Sequence, residues 1–150
     1  MIRTARPDDM PALRDVYRRA SLSNEVDRPN LLAHPEYLEF SDVAVREGRT
    51  RAAVSAGRVV GFATWLTAGD AFEVEDLFVD PRWMRQGIGR ALILDMIEIA
   101  AAHGVLRLEV TGNPHALAFY QSVGFVIDHE IETTFGPGLR MHRDLTPDPG

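Results

Sequence analysis

The chain has 150 residues, with 22 acidic side chains against 16 basic ones and no cysteine. That length suits one domain that buries about 70% of the surface its unfolded chain exposes, and the missing thiol excludes a disulfide framework, a thiolate metal or iron–sulfur site and a cysteine nucleophile. A formal net charge of −6 offers no basic face to nucleic acid, and no apolar run approaches the roughly 20 residues of a membrane-spanning helix.

Met1 leads directly into Ile2-Arg3-Thr4, without the basic-then-apolar pattern of a secretory leader, so the expected compartment is the cytoplasm. Ile2 to Arg6 reads as a short strand. Pro7-Asp8-Asp9 supplies a helix start with Asp8 or Asp9 as N-cap, and Leu13, Val16, Tyr17 and Ala20 form one apolar helical stripe. Between Ser21 and Phe40, Pro29 and Pro35 divide the chain into one or two short helices. Arg51–Ser55 and Arg58–Leu66 read as a hairpin across Ala56-Gly57, and Thr67–Asp70 as a second turn. Phe72–Val79 is the next strand, stopped by Asp80-Pro81.

After a glycine-bearing loop, Ile88, Leu92, Met96 and Ile99 mark a helix that closes at His103-Gly104. Val105–Val110 is a strand. Asn113-Pro114 opens another helix with the preferred N-cap and N1 residues, and Gly124 ends it. Phe125–Phe135 and Leu139–Leu145 read as a final hairpin turning at Gly136-Pro137-Gly138. Helices separate some strands and not others, so the predicted fold class is α/β (α+β), with a mixed sheet. Residues 1–145 form the expected domain, and 146–150 a flexible tail.

The most informative stretch runs from Val79 to Arg90, VDPRWMRQGIGR. A strand ends, a loop turns, and a helix begins at two glycines. Glycine lets the backbone approach a ligand closely, the first helical amides lack intrahelical acceptors, and the helix dipole favours an anion there. Arg82, Arg85 and Arg90 concentrate positive charge, so a pyrophosphate fits. Leu92 occupies the place of the third glycine of a dinucleotide fingerprint, which disfavours a flavin or nicotinamide enzyme, and the chain has no lysine for a Walker loop.

Together with Phe72–Val79 upstream and Asn113-Pro114-His115-Ala116-Leu117-Ala118-Phe119-Tyr120 followed by Gly124-Phe125 downstream, this segment resembles the GNAT superfamily of acetyl-CoA-dependent N-acyltransferases. The likeness covers most of the chain. It implies a single-domain fold with a mixed, mostly antiparallel sheet of about seven strands flanked by helices. It implies that Leu77, Phe78 and Val79 pair by backbone with the acetyl and pantetheine groups, the Leu77 amide donating to the thioester carbonyl. It implies that Arg85, Gln86, Gly87, Ile88, Gly89 and Arg90 hold the pyrophosphate, that Asn113 bonds the pantetheine arm, and that Tyr120 protonates the departing thiolate. Met84 stands where the family pattern carries Arg or Gln, which removes one side-chain contribution to phosphate binding.

Acyl transfer to an amine needs a neutral nucleophile, and deprotonating a lysine-like amine at pH 7 costs about 4.6 kcal/mol. A base must take that proton, directly or through water. Glu73 and Glu75 are the candidates; alternation places them on one strand face with Asp76 opposite, unless a bulge shifts the parity. Without cysteine there is no acyl-cysteine route, so direct attack in a ternary complex is expected. The five histidines show no metal-ligand spacing, so no metal is expected. The expected acceptor is a small amine or polyamine, with peptide and protein amines left open; the competing class is a non-catalytic acyl-CoA sensor. No nucleic-acid or membrane partner is expected, and the family makes a homodimer a further expectation.

Overall fold

The computed structural model of the chain describes residues 1–134 and 136–145. Seven strands form one sheet in the order β1-β2-β3-β4-β5-β7-β6. They are β1 (Ile2–Thr4), β2 (Thr50–Ser55), β3 (Arg58–Ala68), β4 (Ala71–Val79), β5 (Arg107–Gly112), β6 (Val126–Thr133) and β7 (Gly136–Asp144), interleaved with helices α1 (Met10–Leu22), α2 (Arg28–Ala33), α3 (Val43–Arg46), α4 (Ile88–Ala102) and α5 (Leu117–Ser122). β4 and β5 pair in parallel, whereas β1–β2, β2–β3, β5–β7 and β6–β7 pair antiparallel. The sheet is mixed, as the element order requires. The described residues form two compact units, Met1–Thr64 with Asp76–Leu92, and Trp65–Glu75 with the described residues from Ile93 to Leu145.

In the first unit the stripe predicted for α1 faces a core of Met10, Leu13, Val16, Val45, Ala52, Val59 and Phe62, with Tyr17, Phe40 and Phe78 packed against it. The β2–β3 hairpin turns at Ala56 (φ 51°) and Gly57 (φ 75°), two left-handed residues of the kind a two-residue hairpin needs. The helical reading of Ser21–Phe40 resolves into α2 and a 3-10 turn at Pro35–Leu38, each with a proline in its first turn. α3, which the sequence did not reveal, has four residues and buries Ala44 and Val45; a single turn is too short to show a period.

Pro7–Asp9 forms a 3-10 turn, and α1 begins at Met10 with Asp9 at its N-cap position, as predicted, but the Asp9 carboxylate accepts no hydrogen bond from the α1 amides. Asp9 instead reaches back. Its Oδ2 accepts from the Arg6 amide at 2.7 Å, and both oxygens accept from Arg3 at 2.7 and 2.9 Å. The Arg3 hydrogen bonds hold the Asp9 carboxyl below its ordinary value, more than offsetting its burial. A lowered folded pKa gives stability that is complete above the unfolded value and lost as pH falls through the folded one. Asp9→Asn is therefore expected to lower stability by about 1 kcal/mol at neutral pH, the size that solvent screening leaves to such a pair. The gap to the parent should close below about pH 4 in urea titrations.

At Gly61 on β3, a Cβ would lie 3.0 Å from the Phe78 carbonyl oxygen, 3.1 Å from Ile88 Cγ2 and 3.4 Å from Leu92 Cδ1. The missing side chain lets the first turns of α4 sit directly on the strand.

In the second unit Phe72 stacks on Trp65 at 5.5 Å between ring centroids. Ile93, Met96, Ala100, Leu108, Val110 and Met141 are buried there. Ala71–Val74 of β4 pairs with Arg107–Val110 of β5. α4 ends, as predicted, at a left-handed Gly104 (φ 72°).

The last hairpin also differs from expectation. Gly136, Pro137 and Gly138 are not its turn; they pair with Thr133, Glu132 and Ile131 inside β7. A Cβ at Gly138 would lie 2.7 Å from Thr133 Cγ2 and 3.2 Å from Thr111 Cγ2, so that glycine serves close packing. β5 joins β7 only from Leu139 onward, so Pro137 has no β5 residue to which it must donate. Phe135 and the predicted tail 146–150 lie outside the described residues.

Candidate active site

In the first unit β4 delivers Leu77, Phe78 and Val79 to the start of the glycine loop. Phe78 is fixed by Tyr17 at 4.9 Å edge-on and by Phe62 at 5.7 Å. Asp80 is fully buried, and its carboxylate accepts the Arg82 amide at 3.0 Å, capping a 3-10 turn over Pro81–Trp83. Arg85 (φ 63°) and Gly87 (φ 79°) then take the left-handed conformation that swings the chain into α4. Ala91 N donates to the Gly87 carbonyl at 3.0 Å and begins the helical ladder. The amides of Ile88, Gly89 and Arg90 precede it, so the helix supplies them no acceptor. The backbone here is therefore a row of donors at the positive end of a 15-residue helix, the arrangement an oxidised-phosphorus anion requires.

Arg85, Gln86 and Arg90 are exposed around that row, and so is Met84. Arg82, counted from the sequence with the anion-binding charge, instead turns to Asp80, with Nη2 2.9 Å from Oδ2. Arg19 of α1 binds the same Oδ2 at 2.8 Å. The two guanidiniums hold the Asp80 carboxyl far below the ordinary range, with the Arg82 hydrogen bond contributing most.

Phe72 packs on Trp65 and Phe78 on Phe62, and register pairing with β5 stops at Val74. Burial raises the Tyr17 hydroxyl, and the Asp76 charge raises it further.

In the second unit the candidate base Glu73 is taken up by a partner the sequence did not disclose. Arg140 of β7 binds both of its oxygens, at 2.6 and 2.7 Å, and also reaches Glu109 of β5 at 2.8 Å and the Thr111 hydroxyl at 3.1 Å. Arg107 holds the other Glu109 oxygen at 2.8 Å. Glu73 and Glu109 face each other directly across the parallel pair, with a guanidinium between them. Along β5, Leu108 and Val110 are buried while Arg107, Glu109 and Thr111 point the other way. Glu75 is exposed on β4.

Asn113 caps the turn that opens α5, its Oδ1 accepting from Ala116 N at 2.9 Å. That leaves the exposed side-chain amide as a donor. Tyr120 is buried, with Phe119 and Phe125 edge-on at 5.2 and 5.4 Å. Burial pushes its phenol up to about 12. Among the described residues no group bonds the Tyr120 hydroxyl, and no fully buried side-chain polar atom lacks a partner. Also among the described residues, no cluster of three His, Asp or Glu could hold a metal, and no helix is long and apolar enough to cross a membrane.

The model of the acetyltransferase (GNAT) family matches residues 10–125, spanning the glycine loop, Asn113 and Tyr120. The chain belongs to the GNAT family. Among GNAT relatives it is 42% identical over 76 residues to the N-alpha-acetyltransferase RimI of Mycobacterium tuberculosis, a match covering 47% of this chain and 48% of that protein. It is 34% identical over 76 residues to the glucosamine 6-phosphate N-acetyltransferase of Trypanosoma brucei brucei, covering 46% and 52%. The chain thus spans about half the length of the curated relatives it matches. A crystal structure of aminoglycoside 6'-acetyltransferase type Ii superposes over 99% of both chains with a TM-score of 0.76 at 20% identity, which establishes the GNAT fold.

Proposed function

We propose that the chain transfers the acetyl group of acetyl-CoA to a primary amine by direct attack in a ternary complex. The observation that carries this is the row of loop and helix amides at 87–90, set behind Leu77–Val79 in a GNAT chain. The loop amides bind the diphosphate, with Arg85, Gln86 and Arg90 beside them. Leu77, Phe78 and Val79 present backbone to the pantetheine and acetyl groups, and the free side-chain amide of Asn113 donates to the pantetheine arm.

The neutral amine attacks the thioester carbonyl, and the oxyanion takes a hydrogen bond from the Leu77 amide, an effect of about 3 kcal/mol in comparable sites. The C–S bond then breaks, the amine proton passes to base, and sulfur regains one. Both Glu73 oxygens are engaged by Arg140, and the group that accepts that proton, directly or through water, is Glu73 or Glu75. Tyr120 donates to the leaving sulfur. A phenol at about 12 is a weaker acid than a thiol near 8.5. Tyr120 therefore keeps its proton and stabilises the thiolate by donating a hydrogen bond, and the sulfur takes its proton from solvent.

Gly112 gives Tyr120 its seat. A Cβ there would lie 2.7 Å from Met141 Cε and 3.0 Å from Tyr120 Cε2. Gly112→Ala is expected to destabilise the protein by about 1–3 kcal/mol through overpacking. Its kcat should fall about tenfold as the ring shifts, with acetyl-CoA affinity kept.

A small amine or polyamine is the acceptor we favour, supported by the exposed carboxylates Asp128, Glu130 and Glu132 on β6. A peptide α-amine is the second reading, favoured by the 42% match to an N-alpha-acetyltransferase. Thiol release from acetyl-CoA, measured with an amine panel and a peptide panel, tests both. Turnover with amines supports the first, and turnover with peptides alone supports the second. Binding of acetyl-CoA without acceptor-dependent release would instead make the chain an acyl-CoA sensor.

A further inference from the structure

Asp80 does more than cap its turn. A cap needs one oxygen accepting one amide, which Ser or Asn supplies as well. Here a carboxylate with no exposure carries two guanidiniums besides: Arg82 at 3.2 and 2.9 Å, from within the loop, and Arg19 at 3.2 and 2.8 Å, from the far end of α1. A buried carboxylate is costly unless every lone pair is used, and this one meets that condition only because α1 contributes. The Asp80 amide, meanwhile, donates to the Val60 carbonyl of β3 at 2.8 Å. One residue therefore joins β3, α1 and the first turn of the glycine loop.

The loop needs such an anchor. It runs through two left-handed residues, Arg85 and Gly87, and only the second is a glycine. A side chain at φ 63° is disfavoured by local sterics, so the surroundings must impose that conformation. At its far end, the close seat of Ile88 and Leu92 on Gly61 holds the loop. At its near end, Arg19–Asp80–Arg82 is a charged anchor.

We propose that Arg19 and Asp80 are positioning residues for the coenzyme: they fasten the opening of the glycine loop to α1, so that the amides of 87–90 stand in their anion-binding arrangement before the diphosphate arrives. This rests on the acyltransferase reading. Preorganisation of this kind acts on affinity, because a ligand that need not order its own site keeps more of its binding energy. It leaves the reacting groups untouched.

The test is calorimetry and steady-state kinetics on the full chain carrying Arg19→Met, with Arg19→Lys and Asp80→Asn alongside. Arg19→Met leaves Asp80 bonded to Arg82, so it should fold even if Asp80→Asn does not. The expected result is acetyl-CoA binding weakened about tenfold, the scale of losing one charge-assisted contact, with KM for acetyl-CoA raised in step and kcat at saturation kept within about twofold. Arg19→Lys, which retains one donor, should recover part of the loss, and Asp80→Asn should move the same way as Arg19→Met. A fall in melting temperature with unchanged Kd and KM, or a fall in kcat alone, would overturn the positioning role. If the parent chain binds acetyl-CoA and Arg19→Met binds it equally well, only this proposal falls. If the parent binds none, the acyltransferase reading falls and takes this one with it.

Discussion

Replacing Tyr120 by Phe is expected to lower kcat about a hundredfold, the lower end for loss of a hydrogen-bond donor aimed at developing charge. KM for acetyl-CoA should stay within about twofold, and thermal stability should be almost unchanged. The dissociation follows from where the residue puts its two ends. The ring is packed by Phe119 and Phe125 in the second unit, and Phe keeps those contacts. The hydroxyl bonds nothing among the described residues, so its removal orphans no buried partner. The pH profile adds a second check. With the phenol at about 12, any alkaline limb of kcat below about pH 11 belongs to another group and should persist in Tyr120→Phe. A variant that lost stability and activity in proportion would instead make Tyr120 a core residue.

The largest effect on stability is expected at Arg140. Its guanidinium bridges Glu73 and Glu109, which lie opposite each other on β4 and β5 with side chains only 24% and 22% exposed. Arg140→Met leaves two facing carboxylates with only Arg107 beside one of them. We expect a loss of about 2–3 kcal/mol at neutral pH, somewhat below that for breaking a fully buried pair. Like charges raise each other's pKa, so the variant's folded carboxylates bind protons more readily than its unfolded ones. The variant must then recover stability as pH falls from neutrality through about 5 to 4, approaching the parent there. Adding Glu73→Gln should restore most of the loss at pH 7, because it removes one of the two repelling charges. Urea titrations from pH 4 to 8 separate this from simple loss of packing, which would show no such dependence.

What the sequence discloses here is what is local in the chain. The Ala56-Gly57 hairpin, the Gly104 stop of α4, the Asn113-Pro114 start and the glycine loop each follow from residues within one turn of each other. What stayed hidden was decided by partners far along the chain. Asp9 leaves the helix it would cap because Arg3 and the Arg6 amide compete for it. Gly138 resembles a turn residue, yet it lies in a strand because Thr133 and Thr111 leave no room for a Cβ. Arg140 meets Glu73 across 67 positions and Glu109 across 31, so the engagement of a candidate base had no local signature. The same holds for Arg19 and Asp80, 61 positions apart. The motif marks the glycine loop as the proposed coenzyme site; tertiary partners determine which charges around it are committed.

The central claim is that main-chain nitrogens at 87–90 grip the diphosphate of acetyl-CoA. Titrating isotopically labelled protein with acetyl-CoA while following the amide resonances of Gly87, Ile88, Gly89 and Arg90 tests it most directly. These amide protons are expected to move downfield together, and further than those of β6, as hydrogen bonds to phosphate oxygens form. Stationary resonances at all four positions while acetyl-CoA binds elsewhere on the chain would contradict it.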